Sequence, residues 1–387
     1  MANDHFPLIP YGKQSITRAD VQSVSSALGS DWITQGPLVR SFEEALCHAT
    51  GARYCVAVSS GTAALHVAML SLGIGSGDTV LTSPITFSAS ANCACYVGAR
   101  PQFIDIDRKT YHMSPELLEE FLRSPSRRKR VRAIVPVHFM GTVADVEAYS
   151  RISGRYGIPI VEDAAHALGA AYDHGRRKVR VGACVHADVS VMSFHPIKHI
   201  TTGEGGALLT NNKRVFDRAL RFRHHGIVKR SSRPRWFYDI HELGYNYRIT
   251  DFQCALGQSQ LSRLDQFCIK RGAIVQKYNE HFRCIPEISI PYERPGSTPS
   301  YHLYVIQVPQ TKRQALYDYL HRMGIGTQVN YIPVHLLSFY RKKFGYRVGD
   351  FPNAEYYFKR CLSLPLFPGL SDASQNFIIA QVKKFFK

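Results

Sequence analysis

Seven short apolar runs, Tyr54–Val58, Thr79–Thr82, Gln102–Ile106, Arg132–Val137, Pro159–Glu162, Val189–Phe194 and Gly206–Thr210, constrain the fold of this chain more than any other feature. Each is too short for a buried helix, and most are rich in residues that pack on a pleated surface. Between several of them lie segments of helical period: Thr62–Leu72, Pro115–Leu122, Val146–Tyr156 and Arg214–Arg223. A helix between two strands returns the chain to the same sheet edge. The alternation therefore predicts a mostly parallel sheet covered by helices, an α/β fold.

The pattern changes after Thr250. One long helix is expected from about Asp251 to Phe282, with Leu256, Leu261, Leu264, Ile269 and Val275 among its apolar positions. A break at Pro291–Pro299 precedes a strand, Tyr301–Val308, a helix, Lys312–Met323, and a second strand around Thr327–Ile332. This divides the chain into a large domain, residues 1–250, and a linking helix with a smaller C-terminal α/β domain, residues 251–387. A chain of 387 residues is long enough for two such cores.

Charge narrows the partners. The net charge of +18 admits nucleic acid, acidic lipid or an anionic small substrate. Much of the excess sits in residues 123–132, read as a charged loop, and 221–235, read as a solvated or substrate-facing loop. Neither carries the series of interleaved aromatic residues that a single-strand-binding surface uses, so no nucleic-acid partner is expected. The adjacent His224 and His225, if on one helix, do not face a common ligand. No apolar run reaches the ~18 residues of a membrane span, and residues 1–10 lack the features of a secretory signal. No membrane association is expected, and the location reads as cytoplasmic by default. The nine scattered cysteines read as reduced thiols, and Cys93-x-Cys95 has no second pair at metal-ligand spacing, so no metal is expected.

Three motifs carry chemistry. The run Tyr54–Val58 leads into Ser59-Ser60-Gly61-Thr62-Ala63, small residues at a strand-to-helix turn, where backbone N–H groups can approach an anion. Alone this is equally a tight turn with Thr62 as a helix cap. Glu162-Asp163-Ala164-Ala165-His166 closes an apolar run with acidic residues, where open α/β sheets place their ligand crevice; alone it is equally a cap. Ser193-Phe194-His195-Pro196-Ile197-Lys198 puts a lysine just past a buried strand, ahead of Thr201-Thr202-Gly203-Glu204-Gly205-Gly206. Desolvation lowers a lysine's pKa and makes it competent for a Schiff base. Together they supply an anion cup, a carboxylate for a pyridine nitrogen and an amine for an aldehyde, as pyridoxal phosphate (PLP) requires.

In these motifs the chain resembles the sugar aminotransferases of the DegT/DnrJ/EryC1/StrS family, within fold type I of the PLP-dependent transferases. The likeness runs from Ile9-Pro10-Tyr11-Gly12 to the C-terminal helix. It includes the block 30–37, the Glu162–His166 motif, Lys198 with its glycine-rich sequel, and Leu243-Gly244-Tyr245-Asn246-Tyr247-Arg248.

The resemblance implies that Lys198 is the Schiff-base lysine and proton shuttle, that Asp163 pairs with the pyridine nitrogen, and that His166 lies near the ring's 3-oxygen. It implies phosphate contacts from Gly61, Thr62 and Ser193, and a ring-stacking role for Phe87. Asn246 would reach the phosphate of the neighbouring subunit's cofactor, which requires a two-fold homodimer with shared active sites. Tyr11, Asp31, Trp32, Ile33 and Thr34, with Asn330, Tyr331, Ile332 and Pro333, would line the sugar-nucleotide site. Family dehydratases carry histidine in place of the lysine, so Lys198 implies transamination. The likeness is strongest to members that pass an amino group from L-glutamate to C4 of UDP-4-keto-6-deoxy-N-acetyl-β-L-altrosamine, in pseudaminic-acid synthesis. Another UDP- or dTDP-keto-deoxysugar substrate, or nucleotide-sugar binding without turnover, are the alternatives. The basic surplus would draw in a diphosphate and the carboxylates of glutamate.

Overall fold

A computed structural model of the chain describes residues 8–229 and 232–387. Residues 1–7 of the N-terminal segment, and Arg230 and Ser231 of the second basic stretch, lie outside them.

The seven apolar runs form one surface of strands. Tyr54–Val58, Gly206–Thr210, Val189–Ser193 and Val161–Asp163 pair in that order, and Arg100–Phe103, Thr79–Thr82 and Val131–Val135 form a parallel triplet. Parallel bridges from Ile134 to Ile160 and from Val137 to Asp163 join the two groups. Only the strand 206–210 runs against its neighbours. Its connection from the strand 189–193, residues 194–205, contains no crossover helix, so the chain can only turn back. The strands 54–58, 161–163 and 189–193 consequently end on one edge of the sheet, and the strand 206–210 begins there. Val58 and Ser193 both lie opposite Gly206 in the register.

Helices cover the faces. Gly61–Ser71 is buried along nearly its whole length under the strands, with Ala63, Ala64, Leu65, Val67 and Met69 in the core. On the other side, Phe42, Leu46, Phe194, Ala207 and Leu209 share a second cluster. The small-domain strands Tyr304–Gln307 and Cys361–Leu364 pair antiparallel, and Gln310–Arg322, Leu264–Phe282 and Asp372–Phe386 pack around them through Leu316, Tyr278 and Ile378.

Four sequence expectations need correction. The helix expected over 251–282 is two, Asp251–Leu261 and Leu264–Phe282. At the break Ser262 Oγ donates to the carbonyl of Ser259, and Arg263 swings to pair with buried Asp20 at 2.5 Å, an anchor also held by Ser259 and Gln260. Thr327–Ile332 is not a strand, although Gln328 bridges to Ser363. Its backbone is diverted because the Asn330 carbonyl accepts from the Tyr357 hydroxyl, while Asn330 Oδ1 accepts from Tyr11 and Ser363. The basic stretch 123–132 is largely structured: Arg123 ends one helix and Pro125–Arg128 forms another turn, with Arg127 and Arg128 over the rings of Phe121 and Tyr156. His224 and His225 lie just past the helix Lys213–Arg223 rather than on it.

Candidate active site

At the shared strand edge lies a cavity of about 490 Å³ whose lining includes Gly61, Thr62, Asp163, His166, Ser193 and Lys198. Residues remote in sequence thus meet in one place, those near 61, 163 and 193 because the strands that lead to them end together.

The anion cup is built on close approach. Ser60, not Thr62, caps the helix Gly61–Ser71: its Oγ accepts the N–H of Ala63 at 3.0 Å. A Cβ on Gly61 would lie 2.9 Å from Ser193 Cβ, and one on Gly206 would lie 2.5 Å from Gly61 N. Glycine at both positions lets the strand 206–210, the helix start and Ser193 converge. The first N–H groups of the helix, which have no partner within it, open toward the cavity with the positive end of the helix dipole.

Asp163 ends its strand almost fully buried. Its Oδ2 accepts from Ser90 Oγ at 2.5 Å and its Oδ1 from Ala165 N at 3.1 Å. Ser90 is in turn 2.7 Å from the Thr86 hydroxyl. The carboxylate is therefore oriented before any ligand arrives. Lys198 follows a turn in which its own N–H bonds the carbonyl of His195. Burial brings its amine down to about 8; nearby Asp163 opposes that drop and Arg271 adds to it.

His166 is held neutral, well below the usual imidazole range, by burial and by the positive charge of Lys198. Its Nε2 is 3.3 Å from the Tyr331 hydroxyl, and its ring lies 4.3 Å from that of His302. Its Nδ1 is buried with no partner, a polar atom left for a ligand. Phe87 stands at the mouth with 59% of its surface exposed, its ring 6.2 Å from that of Tyr331. Tyr11 and Asn330 close another wall, joined by a 3.0 Å hydrogen bond.

Of the residues that sequence reasoning singled out, Tyr11, Gly61, Thr62, Phe87, Asp163, His166, Ser193, Lys198, Asn330 and Tyr331 line this cavity. Ile332 and Pro333 follow Tyr331 but do not line it. Asp31, Trp32, Ile33 and Thr34 lie on the surface, where Ile33 accepts from Asp251 N and Thr34 bridges to Thr250. Asn246 is also exposed and outside the cavity, though the neighbouring Tyr247 carbonyl accepts from Ser59 N just before Gly61. Sequence reasoning missed Ser90, His195, Glu204 and Gln328. His195 and Glu204 lie inside motifs it quoted, but nothing local marked their direction. A larger groove of about 990 Å³ lies over Arg108, Arg283 and Arg360.

These features fit PLP: a helix N-terminus and a serine for a phosphate, a fixed carboxylate for a ring nitrogen, an orphaned imidazole nitrogen, an exposed aromatic face and a lysine of lowered pKa. Among the described residues no helix is long and apolar enough to cross a membrane.

The comparisons with known proteins agree. A sequence model of the DegT/DnrJ/EryC1/StrS aminotransferase family matches residues 14–383. The chain is 37% identical to the spore coat polysaccharide biosynthesis protein SpsC of Bacillus subtilis, covering 99% of this chain and 98% of that one. It is also 37% identical to the UDP-4-amino-4,6-dideoxy-N-acetyl-beta-L-altrosamine transaminase of Campylobacter jejuni, over 96% of each chain. Among solved structures, Helicobacter pylori PseC, an aminotransferase of pseudaminic-acid biosynthesis, superimposes with a TM-score of 0.89 at 29% identity, covering 98% of this chain and 99% of that one. The sugar aminotransferase Spr1654 of Streptococcus pneumoniae, solved in PLP and PMP forms, gives TM-scores of 0.89 and 0.90 at 29% identity; each covers 98% of this chain and, respectively, 98% and 99% of that one.

Proposed function

Because the chain belongs to the DegT/DnrJ/EryC1/StrS aminotransferase family, a family of PLP-dependent sugar aminotransferases, we propose that it transfers an amino group from L-glutamate to C4 of UDP-4-keto-6-deoxy-N-acetyl-β-L-altrosamine. The observation that carries transamination is Lys198 beside Asp163 in one cavity, with a helix N-terminus across from them. The choice of sugar is supported by the 37% identity to the altrosamine transaminase over nearly the whole chain.

PLP supplies an aldehyde carbon that accepts and releases the amino group, and a ring that withdraws the electrons left when a proton is removed. Gly61, Thr62 and Ser193 would bind its phosphate through backbone N–H groups and a hydroxyl. Asp163 keeps the ring nitrogen protonated, and the Ser90 hydroxyl fixes which carboxylate oxygen faces it. His166, backed by Tyr331, donates toward the ring's 3-oxygen. Phe87, at the mouth of the cavity, would stack against the cofactor ring. The Lys198 amine, with its affinity for protons lowered by burial, takes a proton from one carbon of the bound amino compound and delivers it to another. Tyr11 and Asn330 contact the sugar, and the basic surplus draws in its diphosphate and the carboxylates of glutamate. The exposed block 31–34 and Asn246 act in the partner's cavity of a homodimer.

The test is a turnover assay with the purified holoenzyme, glutamate and a panel of UDP- and dTDP-keto-deoxysugars, the amine located by NMR. The altrosamine-configured substrate should be the fastest, aminated at C4. Preference for another sugar or for C3 would overturn the substrate assignment. Lys198→Ala should abolish turnover with the fold intact, and near-normal turnover in that variant would sink the mechanism.

A further inference from the structure

On the sheet side of the large domain, three donor side chains from three elements meet away from the active site. Glu147 lies in the first turn of the helix Val146–Tyr156. That turn is held by Asp145, whose carboxylate accepts the N–H of Ala148 at 3.0 Å and pairs with Arg294 at 2.7 Å. His174 ends the strand Ala171–His174 of a hairpin with Arg177–Arg180, turned at Gly175 with φ +60°. His186 lies in the segment that leads into the strand 189–193. Tyr172 and His174, two apart on one strand, point to the same face, and the His186 ring rests against both, 5.8 and 4.8 Å between centroids.

The donor atoms have the spacing of a coordination shell. His186 Nε2 lies 3.2 Å from His174 Nδ1, His174 Nδ1 lies 3.9 Å from a Glu147 carboxylate oxygen, and the three atoms all fall within 4.8 Å of one another. Tetrahedral zinc with bonds of about 2.0–2.1 Å to nitrogen and oxygen separates its ligand atoms by roughly 3.3–3.4 Å. The two imidazoles already stand at that separation, and the half-exposed glutamate reaches it by a change of rotamer.

We propose that Glu147, His174 and His186 bind a divalent transition-metal ion of the zinc class, with water in the fourth position. Two imidazoles and one carboxylate select zinc, cobalt, nickel or copper over magnesium and calcium. The ion would clasp the hairpin 171–180 and the segment before the strand 189–193 to the helix 146–156. None of the three ligands lines the cofactor cavity.

Tag-free holoenzyme, stripped with a chelator and dialysed against micromolar zinc, tests this. It should retain one zinc ion per chain by elemental mass spectrometry, and magnesium should not compete. His174→Gln and His186→Gln should each lose the ion while keeping the far-UV circular dichroism and the cofactor absorbance of the parent. Hydrogen exchange across residues 171–188 should slow with zinc in the parent and stay unchanged in both variants. A holoenzyme that retains no zinc, or folded variants that both retain it, would overturn the site.

Discussion

The Ser90 hydroxyl donates a 2.5 Å hydrogen bond to Asp163 Oδ2, joining residues 73 apart in sequence, both buried. Ser90 belongs to the helix Ala89–Tyr96 and Asp163 to the end of a central strand, so this contact ties the helix that follows Phe87 to the carboxylate. A hydrogen bond to a charged group contributes about 1.5–3 kcal/mol, and removing it leaves one carboxylate oxygen unpaired.

Ser90→Ala should therefore slow the half-reaction with glutamate about ten- to a hundredfold. Ser90→Thr, which restores the hydroxyl, should recover most of the rate. Stopped-flow measurement of the cofactor absorbance checks this, and equal rates for the alanine variant and the parent would remove Ser90 from the site.

Asp163→Asn keeps the shape and one acceptor but removes the charge that holds a ring nitrogen protonated. The expected outcome is a loss of at least ~100-fold in kcat. If Asp163 only capped the local backbone, the change would fall on thermal stability, by about 1 kcal/mol, and spare the rate. Measuring kcat and Tm on the one variant separates the two.

The lowered pKa of Lys198 makes a stability prediction for the cofactor-free protein. An unfolded lysine titrates near 10.4, whereas this one titrates at about 8 in the fold. Between those values the unfolded chain binds more protons, so stability rises with pH there. Below pH 8 the charge is buried in the folded state and its full cost is present. Lys198→Met should raise the apo-protein Tm at pH 7 and lose that advantage as the pH approaches 10. A Tm gap independent of pH would show that the amine is solvated in the fold.

Asn246 is exposed in this chain and outside its own cavity, as expected of a residue that acts across an interface. Two inactive proteins, Lys198→Ala and Asn246→Asp, should regain part of their activity when mixed and allowed to exchange subunits. Each mixed dimer then has one site with both lesions and one with neither. Demonstrated mixed dimers without activity would exclude the cross-subunit role.

The strands 54–58, 79–82 and 206–210 were legible from the sequence with their bounds, and the helix 146–156 likewise, because short apolar runs and helical periodicity are local signals. The cavity residues Gly61, Asp163 and Lys198 were legible as candidates because small, acidic and basic residues at or just past strand ends are local signals, whereas Ser193 was marked only by the family resemblance. What tertiary structure alone decided was distance and direction. That the strand 206–210 runs antiparallel, and so sets Gly206 against Gly61, depends on pairing between residues remote in sequence. The cap at Ser60, the diversion of Thr327–Ile332 by Asn330, and the break at Ser262 likewise follow from side-chain hydrogen bonds. Ser90 and the Glu147–His174–His186 cluster carry no local mark at all. Periodicity records which face of an element is buried, but the partner on that face is chosen by strand order and packing, which only the assembled fold determines.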